Sequence, residues 1–135
     1  MSTFFKSIKS PVSEYSIVIE DDGKVAYAYL LKNKAIISDL WLYNQAETPG
    51  DPEWKGRGTP PFLNPAKFVL FELMATPLMN DSKMDVRWEL NNSGEVTGVT
   101  ILLNGSPYGV LRPGAKPAWN IAAKDGPLAK NLRTK

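Results

Sequence analysis

The chain of 135 residues contains no cysteine and no histidine. The first absence excludes disulfides, thiolate metal sites and cysteine nucleophiles. The second removes Ser-His-Asp and Cys-His catalysis, the common zinc and iron ligand sets, and the side chain that most often titrates near neutral pH. Acid–base chemistry would fall to carboxylates, lysine or tyrosine. Long apolar runs are missing as well. The longest, Val25 to Leu31, falls far short of the roughly 20 residues of a membrane helix. The opening residues, Met1 to Lys9, hold no signal-peptide core. A cytoplasmic protein without membrane contact is the expectation.

What is present suits a single β-rich domain. A hydrophobic share of 43% and a charged share of 22% are ordinary for a globular chain, and this length can bury a core without staples. Eleven prolines and ten glycines punctuate short apolar runs, which favours many short strands over a few long helices. The net charge of +2 is unevenly placed: residues 111–135 carry +5, Lys6 and Lys9 add two, and the body between holds −5. The basic residues of the tail are spaced rather than clustered, so they read as neutralising an acidic body. An acidic body repels phosphate, which argues against nucleic acid as a partner.

Two blocks carry strand patterning. In the first, Tyr15, Ile17 and Ile19 alternate with polar positions, Val25 to Leu31 forms a second strand and Ala35 to Tyr43 a third. A two-residue turn at Asn33-Lys34 would pair Leu31 with Ile36, Tyr29 with Ser38 and Tyr27 with Leu40. One face would then carry Val25, Tyr27, Tyr29 and Leu31 with Ile36, Leu40 and Leu42 as core. A three-residue bulged turn at Asp21-Asp22-Gly23 brings Tyr15, Ile17 and Ile19 to the same face. The opposite face would place Trp41 across from Ala26 and Asp39 across from Ala28.

The second block runs from Met84 to Leu111. Val86, Trp88 and Leu90 alternate with charged residues, Asn92-Ser93-Gly94 turns the chain, and Val96 to Leu103 follows. Asn104-Gly105 is the strongest two-residue hairpin signal in the sequence, pairing Val99 with Val110, Ile101 with Tyr108 and Leu103 with Ser106. Pro107 cannot donate to a ladder, which makes the last strand an expected edge. The blocks resemble each other at an offset of 71 residues: Leu31, Asn33 and Leu40 fall on Leu102, Asn104 and Leu111. Duplication and shared hairpin chemistry explain this equally well.

Between the blocks, residues 44–64 form a long loop rich in proline and glycine, of a kind that is functional or disordered in compact domains. Asn64-Pro65 then resembles a helix start, and Pro65 to Thr76 is read as one helix; a buried strand through Phe68 to Phe71 is the rival. Residues 1–13 are read as a flexible arm. Residues 112–135 form a basic tail, docked in irregular form or short turns through Trp119, Ile121, Leu128 and Leu132, with its last few residues loose.

Two constellations are candidate sites. On the long loop, Trp54 with Lys55 and Arg57 has the composition of a binding hot spot, unless Trp54 folds inward to anchor the loop. On the third strand, Asp39, Trp41 and Tyr43 form a stripe able to stack a ring and orient it, or else the bed for the helix. The paired acids Asp21-Asp22 and Asp51/Glu53 lack calcium-loop spacing, would need facing positions in a cleft to act as glycosidase acids, and read as turn chemistry. The sequence therefore predicts a mainly β domain of six antiparallel strands in two meanders, a sandwich or partly open barrel with one helix on it. Its expected role is a non-catalytic binding module without cofactor or metal, a monomer or dimer whose partner is an unidentified protein or small molecule. The alternative is a small carboxylate-dependent enzyme or carrier for a sugar or other planar ligand.

Overall fold

The computed structural model describes residues 3–12, 14–50, 63–79 and 82–135. The chain is mainly β, in two sheets. The first is a meander of β1 (Phe4–Lys9), β2 (Tyr15–Asp21), β3 (Val25–Lys32) and β4 (Ala35–Asn44). The second joins β5 (Met84–Leu90), β6 (Val96–Leu103) and β7 (Ser106–Leu111) to two short strands, β8 (Trp119–Asn120) and β9 (Lys130–Asn131). All neighbours are antiparallel except β8 and β9. The described residues thus hold nine strands rather than six. The extra ones lie in the stretch expected to be an N-terminal arm and in the tail.

No helix forms over residues 65–76. Two 3₁₀ turns, Ala66–Phe68 and Phe71–Leu73, stand there instead. Between them Val69 bridges to Ala123, Leu70 N–H donates to Ala122 C=O at 2.7 Å, and Lys124 N–H donates to Phe68 C=O at 2.9 Å. The tail therefore captures the backbone of this apolar run as a strand-like partner, and Asn64 caps nothing.

The two hairpins share one plan. Each opens on a turn with both central residues at positive φ, Asn33 (51°) and Lys34 (69°) in one, Asn104 (52°) and Gly105 (82°) in the other. This mirror-image turn matches the twist of the strands it joins. Each hairpin keeps two rungs, Lys32–Ala35 and Leu31–Ile36 against Leu103–Ser106 and Leu102–Pro107. Each then carries one unpaired residue on its second strand, Ile37 and Tyr108, again 71 positions apart. Turn residues recur by chemistry alone. A bulge at the same rung does not, and this favours duplication over coincidence.

That bulge shifts the expected pairing by one. Tyr29 lies opposite Asp39, not Ser38, and Tyr27 opposite Trp41, while a second bulge at Leu42 sets Ala26 opposite Tyr43. Val99 likewise faces Leu111. At the first turn Asp21 pairs with Ala26, leaving a loop of Asp22 to Val25 in place of the expected three residues. Both aspartates hold it: Asp21 Oδ1 accepts from Gly23 N–H at 2.9 Å, and Asp22 Oδ1 accepts from Lys24 and Val25 N–H at 2.9 and 3.0 Å. Adding one residue reverses the face of everything beyond it. Ile17 and Ile19 therefore sit beside Leu30 and Ala28, and all four are fully buried. The expected core residues Tyr27, Tyr29 and Leu31 point the other way and are half-buried.

The inner faces meet in one core. Leu40, fully buried, packs directly on Gly109 of the second sheet. Side chains stitch the sheets together. Tyr108 Oη donates to Leu42 C=O at 2.6 Å and accepts from Ala75 N–H at 3.0 Å, and Asn120 Nδ2 donates to Trp41 C=O at 2.8 Å. Burial pushes the Tyr108 phenol up to about 12, so it stays a donor. The outer edge of β4 is not bare. Gly114 N–H donates to Ile37 C=O at 2.7 Å, Ala118 N–H to Asp39 C=O at 2.8 Å, and Trp41 N–H to Leu128 C=O at 3.2 Å. The tail docks as expected, and it also makes β7 an interior strand by adding β8. Pro107 is accommodated because β8 pairs only with Gly109 and Val110.

Candidate functional site

The outer face of the first sheet follows from the register in three rows. They are Phe5–Glu20–Tyr27–Trp41, Ser7–Val18–Tyr29–Asp39 and Lys9–Ser16–Leu31–Ile36. A diagonal of apolar side chains crosses them through Phe5, Val18, Tyr29, Leu31 and Ile36. Phe5 is 67% exposed and Ile36 46%, the others half-buried. A shallow depression of about 310 Å³ lies over Val18, Glu20, Tyr29, Leu31 and Ile36. The Tyr27 and Tyr29 rings stack, with centres 6.1 Å apart and planes inclined by 19°.

The face is acidic. Burial first, then the charges of Glu20, Asp39 and Asp22, hold the Tyr29 phenol above its usual range. Tyr27 is raised further, by burial and then by Tyr29, Asp39 and Asp22. Asp39 is half-buried, and desolvation raises its carboxyl above the ordinary value, opposed by the nearby Lys116 ammonium. Together these groups offer a flat apolar surface with carboxylates at its margin. That arrangement can stack a ring or seat an apolar side chain, and can orient a donor or a cation beside it.

The expected stripe of Asp39, Trp41 and Tyr43 is broken up. Only Asp39 reaches the open face. Trp41 shares that face by register yet is 0% exposed; its Nε1 donates to Asn44 Oδ1 at 2.8 Å, and the tail covers its backbone. The bulge at Leu42 turns Tyr43 inward, where its hydroxyl donates to Asp21 Oδ2 at 2.6 Å and accepts from Leu78 N–H at 2.8 Å. Gln45 Nε2 donates to the same Asp21 oxygen at 2.6 Å. Trp41 and Tyr43 are therefore structural anchors, and Asp21 is a buried turn residue as its sequence context suggested.

Trp54, Lys55 and Arg57 lie outside the described residues, as do Asp51 and Glu53. The base of their loop is well defined. Asn44 Nδ2 donates to Asn64 C=O at 2.8 Å, and Asn64 N–H donates back to Asn44 Oδ1 at 3.2 Å. Pro49 C=O accepts from Ala66 N–H at 2.8 Å. These bonds pin the two ends of the loop together beside Trp41. Sequence reasoning missed the Asn44–Asn64 clamp because Asn64 before Pro65 reads as a helix N-cap, and nothing local pairs it with Asn44. It also missed Tyr29, Leu31 and Ile36 as surface groups. The alternation in β2 marks Ser16, Val18 and Glu20 as its outer side, but which β3 residues join them depends on the length of the Asp21–Ala26 turn.

Among the described residues no cluster of acidic side chains could hold a metal ion, and no helix is long and apolar enough to cross a membrane. Comparison with protein-family models, with curated proteins and with solved structures returns no match.

Proposed function

We propose that the protein is a non-catalytic binding module that docks its partner on the outer face of the first sheet. One observation carries this reading: the sheet is fully packed on its inner side yet leaves an apolar diagonal, Phe5 to Ile36, uncovered on its outer side. Burying a side chain of this size stabilises by roughly 1.5–3 kcal/mol, so exposing Phe5 and Ile36 forgoes stability that a partner would restore. In this reading the loop over residues 44–64, whose base is clamped at Asn44 and Asn64, supplies a second contact. Trp54 and Arg57 would be its anchors.

A second reading is favoured by the stacked tyrosine pair. Tyr29 beside Asp39 and Glu20 suits a planar polar ligand such as a sugar ring, with the ring on the aromatic face and the carboxylates taking its hydroxyls. One comparison separates the two. A partner captured from the native host should be lost with Tyr29→Lys or Ile36→Asp, and weakened with Trp54→Ala or Arg57→Ala, while all four variants melt as the parent does. Capture unchanged in every variant removes the module reading. A thermal shift with sugars that Tyr29→Lys abolishes selects the second.

A further inference from the structure

A separate surface lies where the β3–β4 turn, the β5–β6 turn and the start of the tail converge. They enclose an open groove of about 860 Å³. Its apolar floor is made by Tyr15, Ile36, Ile37 and Val96, and the bulge in β4 is what takes Ile37 out of its ladder at this point. Three cations stand along it: Lys32, Arg112 and Lys116. Lys116 also acts on the Asp39 carboxyl of the outer sheet face, whereas Lys32 and Arg112 lie against aromatic rings. Lys32 Nζ sits 5.4 Å from the Tyr15 ring centre, and the Arg112 guanidinium sits 5.7 Å from that of Trp119. The aromatic rings fix these side chains without neutralising them. The single acid of the lining, Glu95, receives a long hydrogen bond of 3.4 Å from Asn91 Nδ2.

We propose that this groove binds an extended acidic segment of a partner protein. Alternate side chains would rest on the Ile36, Ile37 and Val96 floor, and carboxylates would face Lys32, Arg112 and Lys116. Two features favour a polypeptide over other anions. The trough is open, whereas small-molecule sites enclose most of their ligand. Its apolar floor between spaced cations matches the alternation of an extended chain. Nucleic acid fits poorly, because the body of the domain is acidic and the floor offers one aromatic ring. The groove's lining shares only Ile36 with the depression on the outer sheet face, and Lys32 and Arg112 have no part in that surface.

The test titrates the full chain into a fluorescein-labelled decapeptide of alternating leucine and glutamate, read by anisotropy. A leucine–lysine peptide and inorganic phosphate serve as comparators. Saturable binding of the acidic peptide is expected, weakening with salt and falling about tenfold or more in the Arg112→Glu/Lys116→Glu variant. Tyr29→Lys should leave it unchanged. Backbone amide shifts of the unsubstituted chain, which need no variant to fold, should concentrate at Ile37, Thr97 and Gly114. Absence of binding, equal binding of the lysine peptide, shifts confined to another surface, or full displacement by phosphate at matching affinity would each overturn the proposal.

Discussion

Replacing Gly109 by alanine interrogates the contact on which the packing of the two sheets depends. A Cβ at this position would lie 2.6 Å from Leu40 Cδ2 and 3.4 Å from Trp119 C=O. Carbon atoms in contact prefer about 3.5–4.0 Å, so Leu40 must retreat by roughly 1 Å, and it is fully buried. Overpacking of this kind costs about 1–3 kcal/mol. The stiffer unfolded chain returns about 0.4–1 kcal/mol, leaving a net loss near 1–2 kcal/mol. Leu40→Ala alone should cost about 2–5 kcal/mol by opening a cavity. In the double variant the new methyl group occupies space that the leucine vacated. The combined loss should therefore fall short of the sum by about 0.5–3 kcal/mol. Urea unfolding followed by tryptophan fluorescence gives each value, since Trp41 is fully buried. A neutral Gly109→Ala, or strict additivity in the double variant, would refute the contact.

Two further substitutions test the polar stitching and the outer face. Tyr108→Phe removes the hydroxyl that serves Leu42 C=O and Ala75 N–H. Because Asn120 still reaches Leu42 C=O at 3.3 Å, the loss should be about 1–3 kcal/mol, the desolvation of one orphaned group, measured by the same unfolding assay. Asp39→Asn has the opposite sign. Its carboxyl is raised in the folded chain, so the folded state holds the proton more tightly than the unfolded one, and stability falls as pH rises through that raised value. Asp39→Asn should therefore be more stable than the parent at neutral pH, with the advantage fading once pH falls below the unfolded carboxyl range. Melting curves across pH check this; a variant less stable at neutral pH contradicts it.

The strands with strong alternation were legible in the sequence, and so were both mirror-image turns. Tyr15, Ile17 and Ile19 are core, Asn33-Lys34 and Asn104-Gly105 turn as their chemistry dictates, and the tail docks. The face of β3 was not legible, because it hangs on the length of one turn. Asp21 and Asp22 can each cap a turn, and only the structure shows both doing so, which lengthens the loop and reverses the parity. Size misled as well: Tyr27 and Tyr29 look like core, but the approach of the second sheet at Leu40 and Gly109 leaves room for Ala26 and Ala28 instead. Strands β8 and β9, two residues each, have no local pattern because tertiary contacts alone create them. The Phe68 to Leu70 run joined the tail for the same reason. Of the candidate stripe, Asp39 alone reached the open surface: a bulge at Leu42 turns Tyr43 inward, and Trp41 is buried where the tail docks along β4, neither of which alternation can show.

The absence of cysteine from the chain makes one measurement decisive for which side of the first sheet faces water. Single cysteines at Val18, Tyr29 and Ile36, and at Ala26, Ala28 and Leu30, can be exposed to a thiol reagent under native conditions without background labelling. The first three should react readily, Ile36→Cys fastest, while the second three should react only on unfolding. Protection of positions 18, 29 and 36 together with ready labelling of 26, 28 and 30 would mean that the register runs the other way and that the proposed docking face is buried.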